Sequence, residues 1–172
     1  EHQNTQTRNV MTENELLLNE MGKMAKVGGW SLDLKTNKFT WTKQVYKIHE
    51  VDNNFVLTVD NAISFYDQPS QEIISNLLNE AIESGTPFDT DLKVITAKGN
   101  KIDIRAIGKA IRNDEGVIEH VFGTFQDITD NKKKEKELKE SERKFRLLVD
   151  NTNDWEYWID QNNEYVFISK AC

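Results

Sequence analysis

The sequence predicts an α+β domain, in which a five-stranded antiparallel sheet carries helices on one face. Segments of alternating apolar and polar residues occur twice before residue 42 and three times after residue 87. Turn-forming residues separate the strands within each group, as in antiparallel hairpins. A long helical pattern lies between the two groups. Because strands and helices occur in separate runs instead of alternating, an α+β arrangement follows.

The composition limits the classes of function. The 172 residues carry a formal net charge of −7, and a chain of this length allows one domain of roughly 100–200 residues plus extra elements. This acidic balance argues against nucleic acid as a partner, which needs a basic surface. No segment approaches the ~20 apolar residues that cross a membrane, so we expect no membrane contact in this chain. The single cysteine, Cys172, excludes an intramolecular disulfide and a cysteine-based zinc site. The chain begins at Glu1 without a signal-peptide pattern, so we expect a piece of a longer, cytoplasmic protein.

Residues 1–27 are interpreted as a polar tail followed by an amphipathic helix. Thr12 and Glu15 fit a capping box, in which each side chain satisfies a free backbone N–H of the first turn. Gly28-Gly29 is predicted to end the helix. Its apolar stripe needs a partner, either the domain behind it or the same helix of a second chain, and we predict that it forms part of a dimer contact. The stripe consists of Leu17, Met21 and Met24.

The elements of the main domain follow in order. Alternation over 30–35 and 39–41, around a turn at Thr36-Asn37, predicts a hairpin. Residues 43–66 have only short apolar groups and predict short helical turns and loops. Asp67 opens a long helix, and Gly85 ends it. Strands are then predicted over 88–96, 101–112 and 117–127.

The helix-facing side of this sheet is the candidate ligand cavity, for a small molecule of unknown identity. Small residues at Ala106, Gly108 and Ala110 leave space there. That space either forms the cavity or only makes room for Trp30 and Trp41. The candidate cavity residues are Trp30, Leu32, Trp41, Phe65, Leu77, Ile104, Ala106, Val121, Gly123 and Phe125.

A highly charged segment over 130–149 predicts a linker helix, supported by acid–base pairs four residues apart such as Glu135 with Lys139. Leu138 and Phe145 share one position of a short heptad pattern. The segment is therefore either a solvated connection or a signal-transmitting helix that pairs in a dimer through these two residues. Residues 150–172 predict the opening hairpin of an incomplete second domain. A lone hairpin is marginal in water, so we expect it to be disordered, or ordered only by packing on the first domain or a partner chain.

Several motifs together resemble those of a PAS domain, the small sensor module of signalling proteins. Gly28-Gly29-Trp30-Ser31-Leu32-Asp33 resembles the G-x-W-x-x-D opening strand, and Gly85-Thr86-Pro87-Phe88 resembles the entry to the third strand. Lys98-Gly99-Asn100 resembles a D-G-S turn, with a lysine in place of the acid. The most specific match is Gly123 to Thr129, a G-x-x-x-D-I-T ending. The resemblance covers 28–129, and 142–172 resembles the start of a second PAS unit.

The resemblance implies the PAS fold and a sensory and dimerisation role in a multi-domain signalling protein, which we expect to be a two-component histidine kinase. Alternatives are a ligand-free interaction module, or a regulatory domain of a diguanylate cyclase or phosphodiesterase. By similarity, Asp127 and Thr129 of the D-I-T piece relay a signal by tying the last strand to the outgoing helix. A carboxylate at that position can cap the first turn of a helix. The family usually has a tryptophan where this chain has Asp103, which removes that indole from the sheet.

No catalytic, metal-binding or cofactor-binding residues are predicted, and we expect no enzymatic activity. The lack of any cysteine before Cys172 argues against cysteine-dependent flavin photochemistry, and the missing C-x-x-C-H argues against covalent haem. Non-covalent haem needs an axial histidine. His49 is interpreted as a surface or packed histidine in preference to such a ligand. Phosphate-binding, hydrolase and metalloprotease motifs are also missing from the sequence.

Overall fold

The computed structural model describes residues 16–52, 54–150 and 157–168. The chain divides into two compact units, residues 1–129 and 130–172. The capping box expected at Thr12 and Glu15 lies outside the described residues. The first unit contains, in chain order, α1 (16–25), β1 (Val27–Asp33), β2 (Lys38–Trp41), α2 (Lys43–Ile48), α3 (Val59–Ile63), α4 (Gln68–Glu83), β3 (Phe88–Ile95), β4 (Lys101–Arg112) and β5 (Ile118–Asp127).

The five strands form one antiparallel sheet in the order β2-β1-β5-β4-β3. Trp30 of β1 lies between Trp41 of β2 and Gly123 of β5, and Ala106 of β4 pairs with Phe125 of β5. Helix α2 contacts β1 and β2, and α4 contacts β3, β4 and β5. The predicted α+β class, with its five-stranded antiparallel sheet, is confirmed.

The start of β1 differs from the prediction. Helix α1 ends at residue 25, and Lys26 follows in the left-handed region with φ of 52°. Gly28 and Gly29 therefore lie inside β1 and do not end the helix. A Cβ atom on Gly28 would overlap the side chain of Val45. The glycine is thus needed because α2 packs closely on this strand.

Helix α4 shows how local signals and packing combine. Asp67 caps its N-terminus by accepting a hydrogen bond from the backbone N–H of Ser70 at 3.1 Å. Gly85 follows the helix with φ of 78°, a conformation that glycine adopts without strain. Not every apolar residue of the helix faces the core, because Ile73 is exposed and Leu77 is only partly buried. The buried apolar residues of the helix are Ile74, Leu78 and Ala81.

The core lies between the sheet and the helices α2, α3 and α4. Val45, Val94, Ile104 and Val121 have no exposed surface there. Burying a side chain of this kind stabilises the fold by about 1.5–3 kcal/mol relative to leaving it exposed. These residues come from separate parts of the chain, so the core forms only when the sheet is complete.

The space at Gly108 is occupied by Phe88, contrary to the view that it makes room for Trp30 and Trp41. Phe88 is paired with Gly108 across β3 and β4, and a Cβ atom on the glycine would overlap the Phe88 ring. The same ring stacks on Trp30, with centroids 6.2 Å apart and planes inclined by 16°. The glycine therefore lets a neighbouring aromatic side chain lie flat against the sheet.

The second unit contains most of α5 (Thr129–Asp150) and a two-stranded sheet of β6 (Tyr157–Ile159) and β7 (Tyr165–Ile168). The predicted hairpin is present, and its described residues are paired instead of disordered. Its Trp158 contacts Phe145 of α5, with ring centroids 5.3 Å apart. This contact is made within the unit, and the sequence did not anticipate it. Across the helices that the structure describes, none combines the length and apolar character needed to span a bilayer.

Candidate functional site

A cavity of about 50 Å³, here called the core cavity, lies inside the first unit. It exceeds the ~10–15 Å³ that one water needs, and it is smaller than the ~150 Å³ cavity that holds benzene in another protein. The space suits a group of a few non-hydrogen atoms. It is lined by Trp30, Phe39, Trp41, His49, Val59, Ala62, Ile63, Tyr66, Ile74, Leu78, Phe88, Ala106 and Phe125.

Four of the ten candidate cavity residues line the core cavity. They come from four strands that the antiparallel register brings side by side. Three of the four are aromatic, and the fourth is a small alanine. The four residues are Trp30, Trp41, Ala106 and Phe125.

The other six candidates lie elsewhere in the core. Leu32, Ile104 and Val121 are buried but do not line the cavity. Phe65 contacts the ring of His49, whereas Leu77 lies on the flank of α4 and its neighbour Leu78 lines the cavity instead. The sixth candidate, Gly123, lies in β5. It is so close to the backbone carbonyl of residue 107 in β4 that no Cβ atom would fit.

His49 is the polar residue at the centre of this site. Its exposed fraction is 1%, and its Nδ1 atom lies 3.0 Å from the carbonyl oxygen of Val45. The imidazole stacks on Trp41 with centroids 4.3 Å apart, and it contacts Phe125 at 4.6 Å and Phe65 at 5.0 Å. An aromatic box therefore surrounds the ring.

The protonation state of His49 follows from these contacts. Burial lowers the pKa of the imidazole to about 4, so the ring is neutral near pH 7. Because the carbonyl of Val45 can only accept, Nδ1 carries the proton and Nε2 keeps a free lone pair. Among the described residues, Nε2 is the buried side-chain nitrogen or oxygen that lacks a hydrogen-bond partner. Leaving such an atom unsatisfied costs about 1–3 kcal/mol.

The turn between β3 and β4 holds the segment that carries His49. The backbone N–H of Ala97 donates to the carbonyl of His49 at 3.0 Å. The carboxylate of Glu50 accepts hydrogen bonds from Thr96 Oγ1 at 2.5 Å and from Asn100 Nδ2 at 2.7 Å. Both hydrogen bonds lower the pKa of the Glu50 carboxyl, and the bond from Thr96 has the larger effect. The imidazole is therefore positioned by two elements that are distant in sequence.

Sequence reasoning interpreted His49 as a surface or packed histidine in preference to a haem ligand; the structure shows it packed, and its place in the cavity lining was missed. A signal was available, because His49 lies four residues after Val45 and so shares its helix face. That spacing marks the histidine as inward-facing, but it does not show which atoms surround the ring.

Asp127 and Thr129 form a second site, at the junction between β5 and α5. Asp127 Oδ1 accepts hydrogen bonds from the backbone N–H of Thr129 at 3.0 Å and from its Oγ1 at 2.6 Å. Thr129 Oγ1 accepts in turn from the backbone N–H of Asp103 at 3.0 Å. The N–H of Ile128 donates to the Asp103 carbonyl at 2.9 Å. The first residue of α5 is thus bonded to both β5 and β4.

The residues expected at a dimer contact lie on exposed surface. In α1, the exposed fractions are 59% for Leu17, 57% for Met21 and 86% for Met24, so the first unit does not cover this stripe. In the second unit Leu138 is exposed, and Phe145 is partly covered by its contact with Trp158.

Solved structures share this architecture. The N-terminal domain of a diguanylate cyclase with a PAS/PAC sensor from Marinobacter aquaeolei superposes with a TM-score of 0.56 at 20% identity, over 61% of this chain and 97% of that one. The chain has the PAS fold. A sensory box histidine kinase/response regulator from Burkholderia thailandensis gives a TM-score of 0.58 at 21% identity, over 75% of this chain and 97% of that one.

Two curated proteins are also similar to this chain. The probable diguanylate cyclase DgcE of Escherichia coli is 24% identical over 171 residues, which is 97% of the chain. Sensor protein FixL of Bradyrhizobium diazoefficiens is 27% identical over 146 residues, or 85% of the chain. The chain spans 15% and 29% of the lengths of these relatives, respectively. No family model matches the chain.

Proposed function

We propose that this chain is the sensory and dimerisation module of a multi-domain signal-transduction protein of the cytoplasm, and that it relays the state of the core cavity to its C-terminal helix. The observation that carries the proposal lies on β5. Phe125 lines the cavity and contacts His49, and Asp127, two residues further along the strand, binds the first residue of α5. One strand therefore joins the cavity to the helix.

The mechanism is a shift between two arrangements of β5 and the start of α5. A molecule in the cavity contacts Phe125, and a small displacement of β5 alters the hydrogen bonds among Asp127, Thr129 and Asp103. A ligand shifts such an equilibrium only by its difference in affinity for the two arrangements. Because the cavity measures only about 50 Å³, an occupant of more than a few non-hydrogen atoms would have to displace one of its walls.

The output domain is proposed to be a histidine kinase on the same chain, with a diguanylate cyclase or phosphodiesterase as the alternative. A sensor protein and a probable cyclase both appear among the similar proteins, at 27% and 24% identity. The module itself is proposed to be non-catalytic. Its described residues hold no cluster of three or more histidine, cysteine, aspartate or glutamate side chains that could bind a metal.

The proposed sensor works without flavin or haem and does not bind nucleic acid. The sequence supports this, since its single cysteine lies at position 172 and the net charge is −7. The size of the core cavity, about 50 Å³, also supports it, because pockets for drug-sized ligands measure roughly 300–1,000 Å³.

A second candidate function is a ligand-free interaction module that acts through dimerisation. The exposed stripe of Leu17, Met21 and Met24 favours it, as does the small volume of the cavity. In this case the chain would transmit a change in its pairing, and the core would serve only for stability.

Native mass spectrometry of the 172-residue chain, beside the same sample denatured, separates the two candidates. Extra mass that is lost on denaturation supports the sensor and begins to identify its ligand. A dimer without extra mass supports the interaction module. A monomer without extra mass contradicts the dimerisation part of both.

Hydrogen exchange tests the relay directly. Ala106 lines the cavity and Ala110 lies on the same strand outside it, so Ala106→Val and Ala110→Val are a matched pair. We expect Ala106→Val to change exchange at the backbone amides of Asp103 and Thr129, and Ala110→Val to leave it unchanged. If both variants fold and show the same exchange at these two amides, the relay is contradicted.

A further inference from the structure

We propose that the core cavity binds a small uncharged molecule that donates one hydrogen bond to Nε2 of His49. The inference rests on the proposed sensory function and names the chemistry of its ligand. Its basis is an unpartnered acceptor on a side chain that is 1% exposed and lines the cavity.

The donor requirement follows from the bonding of the ring. Nδ1 is occupied, because it donates to the Val45 carbonyl of the preceding helical turn. Nε2 therefore offers a lone pair and no proton. A ligand N–H or O–H group satisfies this atom, whereas a carbonyl or carboxylate oxygen would face it lone pair to lone pair.

The cavity walls exclude a charged ligand. Apart from His49 and Tyr66, the lining residues are apolar or aromatic hydrocarbons and indoles. Burial lowers the pKa of His49 and raises that of Tyr66, so both titratable groups are neutral near pH 7. The nearby carboxylate of Glu50 is directed to Thr96 and Asn100. An ion in the cavity would have no counter-charge, and burial of an unpaired ion is costly.

The shape of the cavity favours a flat ring. Its walls include the rings of Trp30, Trp41 and Phe125, against which a planar aromatic molecule packs well. At about 50 Å³ the space is about a third of a benzene-binding cavity, so a ring binds only when a wall moves, and five-membered rings, the smallest common aromatic molecules, are the appropriate probes. Pyrrole has one N–H donor, and furan is a ring of similar size with no donor. The pair isolates the hydrogen bond.

Two substitutions separate the acceptor from the packing. His49→Phe keeps an aromatic ring in the box and removes the acceptor. We expect the fold to tolerate this change, because the Val45 carbonyl retains its bond from the backbone N–H of residue 49 at 3.0 Å. His49→Gln is the conservative variant, since its side-chain oxygen can still accept a hydrogen bond.

The test is a titration of the whole chain with pyrrole and with furan, followed by NMR of the backbone amides and the imidazole nitrogens. Wild type is expected to bind pyrrole about tenfold or more tightly than furan, which corresponds to one hydrogen bond of ~1.4 kcal/mol. His49→Phe is expected to lose this preference, and His49→Gln to recover part of it. The imidazole nitrogen signal should move with pyrrole and not with furan.

Three results would overturn the inference: equal affinity of wild type for both probes, a preference that persists in His49→Phe, or no binding of either probe to the folded chain. The amides of Asp103 and Thr129 report separately on the proposed function. Pyrrole binding that leaves them unchanged would contradict the relay but uphold the ligand chemistry. If Ala106→Val changes these amides but pyrrole does not bind, the relay is upheld and the proposed ligand chemistry is contradicted.

Discussion

The imidazole of His49 stacks on the indole of Trp41, with ring centroids 4.3 Å apart and planes inclined by 24°. Phe65 and Phe125 enclose the same ring from other directions. A neutral histidine is therefore buried in an aromatic cluster, at the point where the cavity, α2 and β5 meet. This residue therefore affects both the stability of the domain and its proposed binding chemistry.

Replacing His49 by phenylalanine is expected to raise the free energy of unfolding by about 1 kcal/mol at pH 7. The change removes the penalty of the unpartnered Nε2, about 1–3 kcal/mol, and loses one hydrogen bond from Nδ1, about 0.5–1.5 kcal/mol. Urea denaturation followed by tryptophan fluorescence measures the difference. His120→Phe, on β5, is the control and should give a smaller change. A loss of stability above about 2 kcal/mol in His49→Phe would show that Nε2 has a partner in solution.

Stability is expected to fall as the pH decreases from 6.5 towards 4. The folded pKa of His49 is about 4, below its ordinary value of 6.5, so the unfolded state binds the proton more readily in this window. At 1.36 kcal/mol per pKa unit, the full loss in the free energy of unfolding is ~3 kcal/mol.

His49→Phe provides the control for this pH dependence. Carboxyl groups with lowered pKa values, such as Glu50 and Glu119, lose their contributions only below about their ordinary value of 4.5. The variant should therefore be nearly flat between pH 6.5 and about 5 and should fall only at lower pH. Identical pH curves for wild type and variant would rule out a buried neutral His49.

Thr129→Val is expected to lower the free energy of unfolding by about 1–2 kcal/mol. The substitution preserves the shape of the side chain but removes the hydroxyl that accepts from Asp103 and donates to Asp127. Exchange of the Asp103 amide should become faster. Thr129→Ser, which keeps the hydroxyl, should retain most of the stability. Equal losses in the two variants would mean that the methyl group contributes as much as the hydroxyl, and would contradict the hydrogen bonds as the main contribution of Thr129.

Gly108→Ala is expected to cost about 1–3 kcal/mol, because the added methyl overlaps the Phe88 ring. The cost should be smaller in a Phe88→Leu background, where the outer part of the ring is gone. A double-mutant cycle measures this coupling, and we expect at least about 1 kcal/mol. Additive effects would show that Phe88 does not occupy the space beside the glycine.

The proposed dimer predicts that Met21→Glu shifts the chain from dimer to monomer in sedimentation velocity. Leu16→Glu places the same charge one position outside the stripe of Leu17, Met21 and Met24, and it should leave the dimer intact. Wild-type chain that remains monomeric at high micromolar concentration would contradict the dimer.

Features with local causes were predictable. The period of two placed the strands, since alternating side chains point to opposite faces of a sheet. β4 runs over the predicted 101–112, and β5 ends at the predicted residue 127. The capping oxygen of Asp67 and the positive φ of Gly85 bound α4 for reasons contained in those few residues.

The composition of the cavity was decided by tertiary structure. The choice of Leu78 over Leu77, the overlap that places Phe88 beside Gly108, and the packing that puts Gly28 inside a strand all depend on neighbours far away in sequence. His49 is the clearest case. The sequence determined that it follows a short helix on the same face as Val45. Only the assembled sheet surrounded the ring with aromatic groups from β2 and β5 and left Nε2 without a partner, because desolvation is a property of the packed core and not of the local chain.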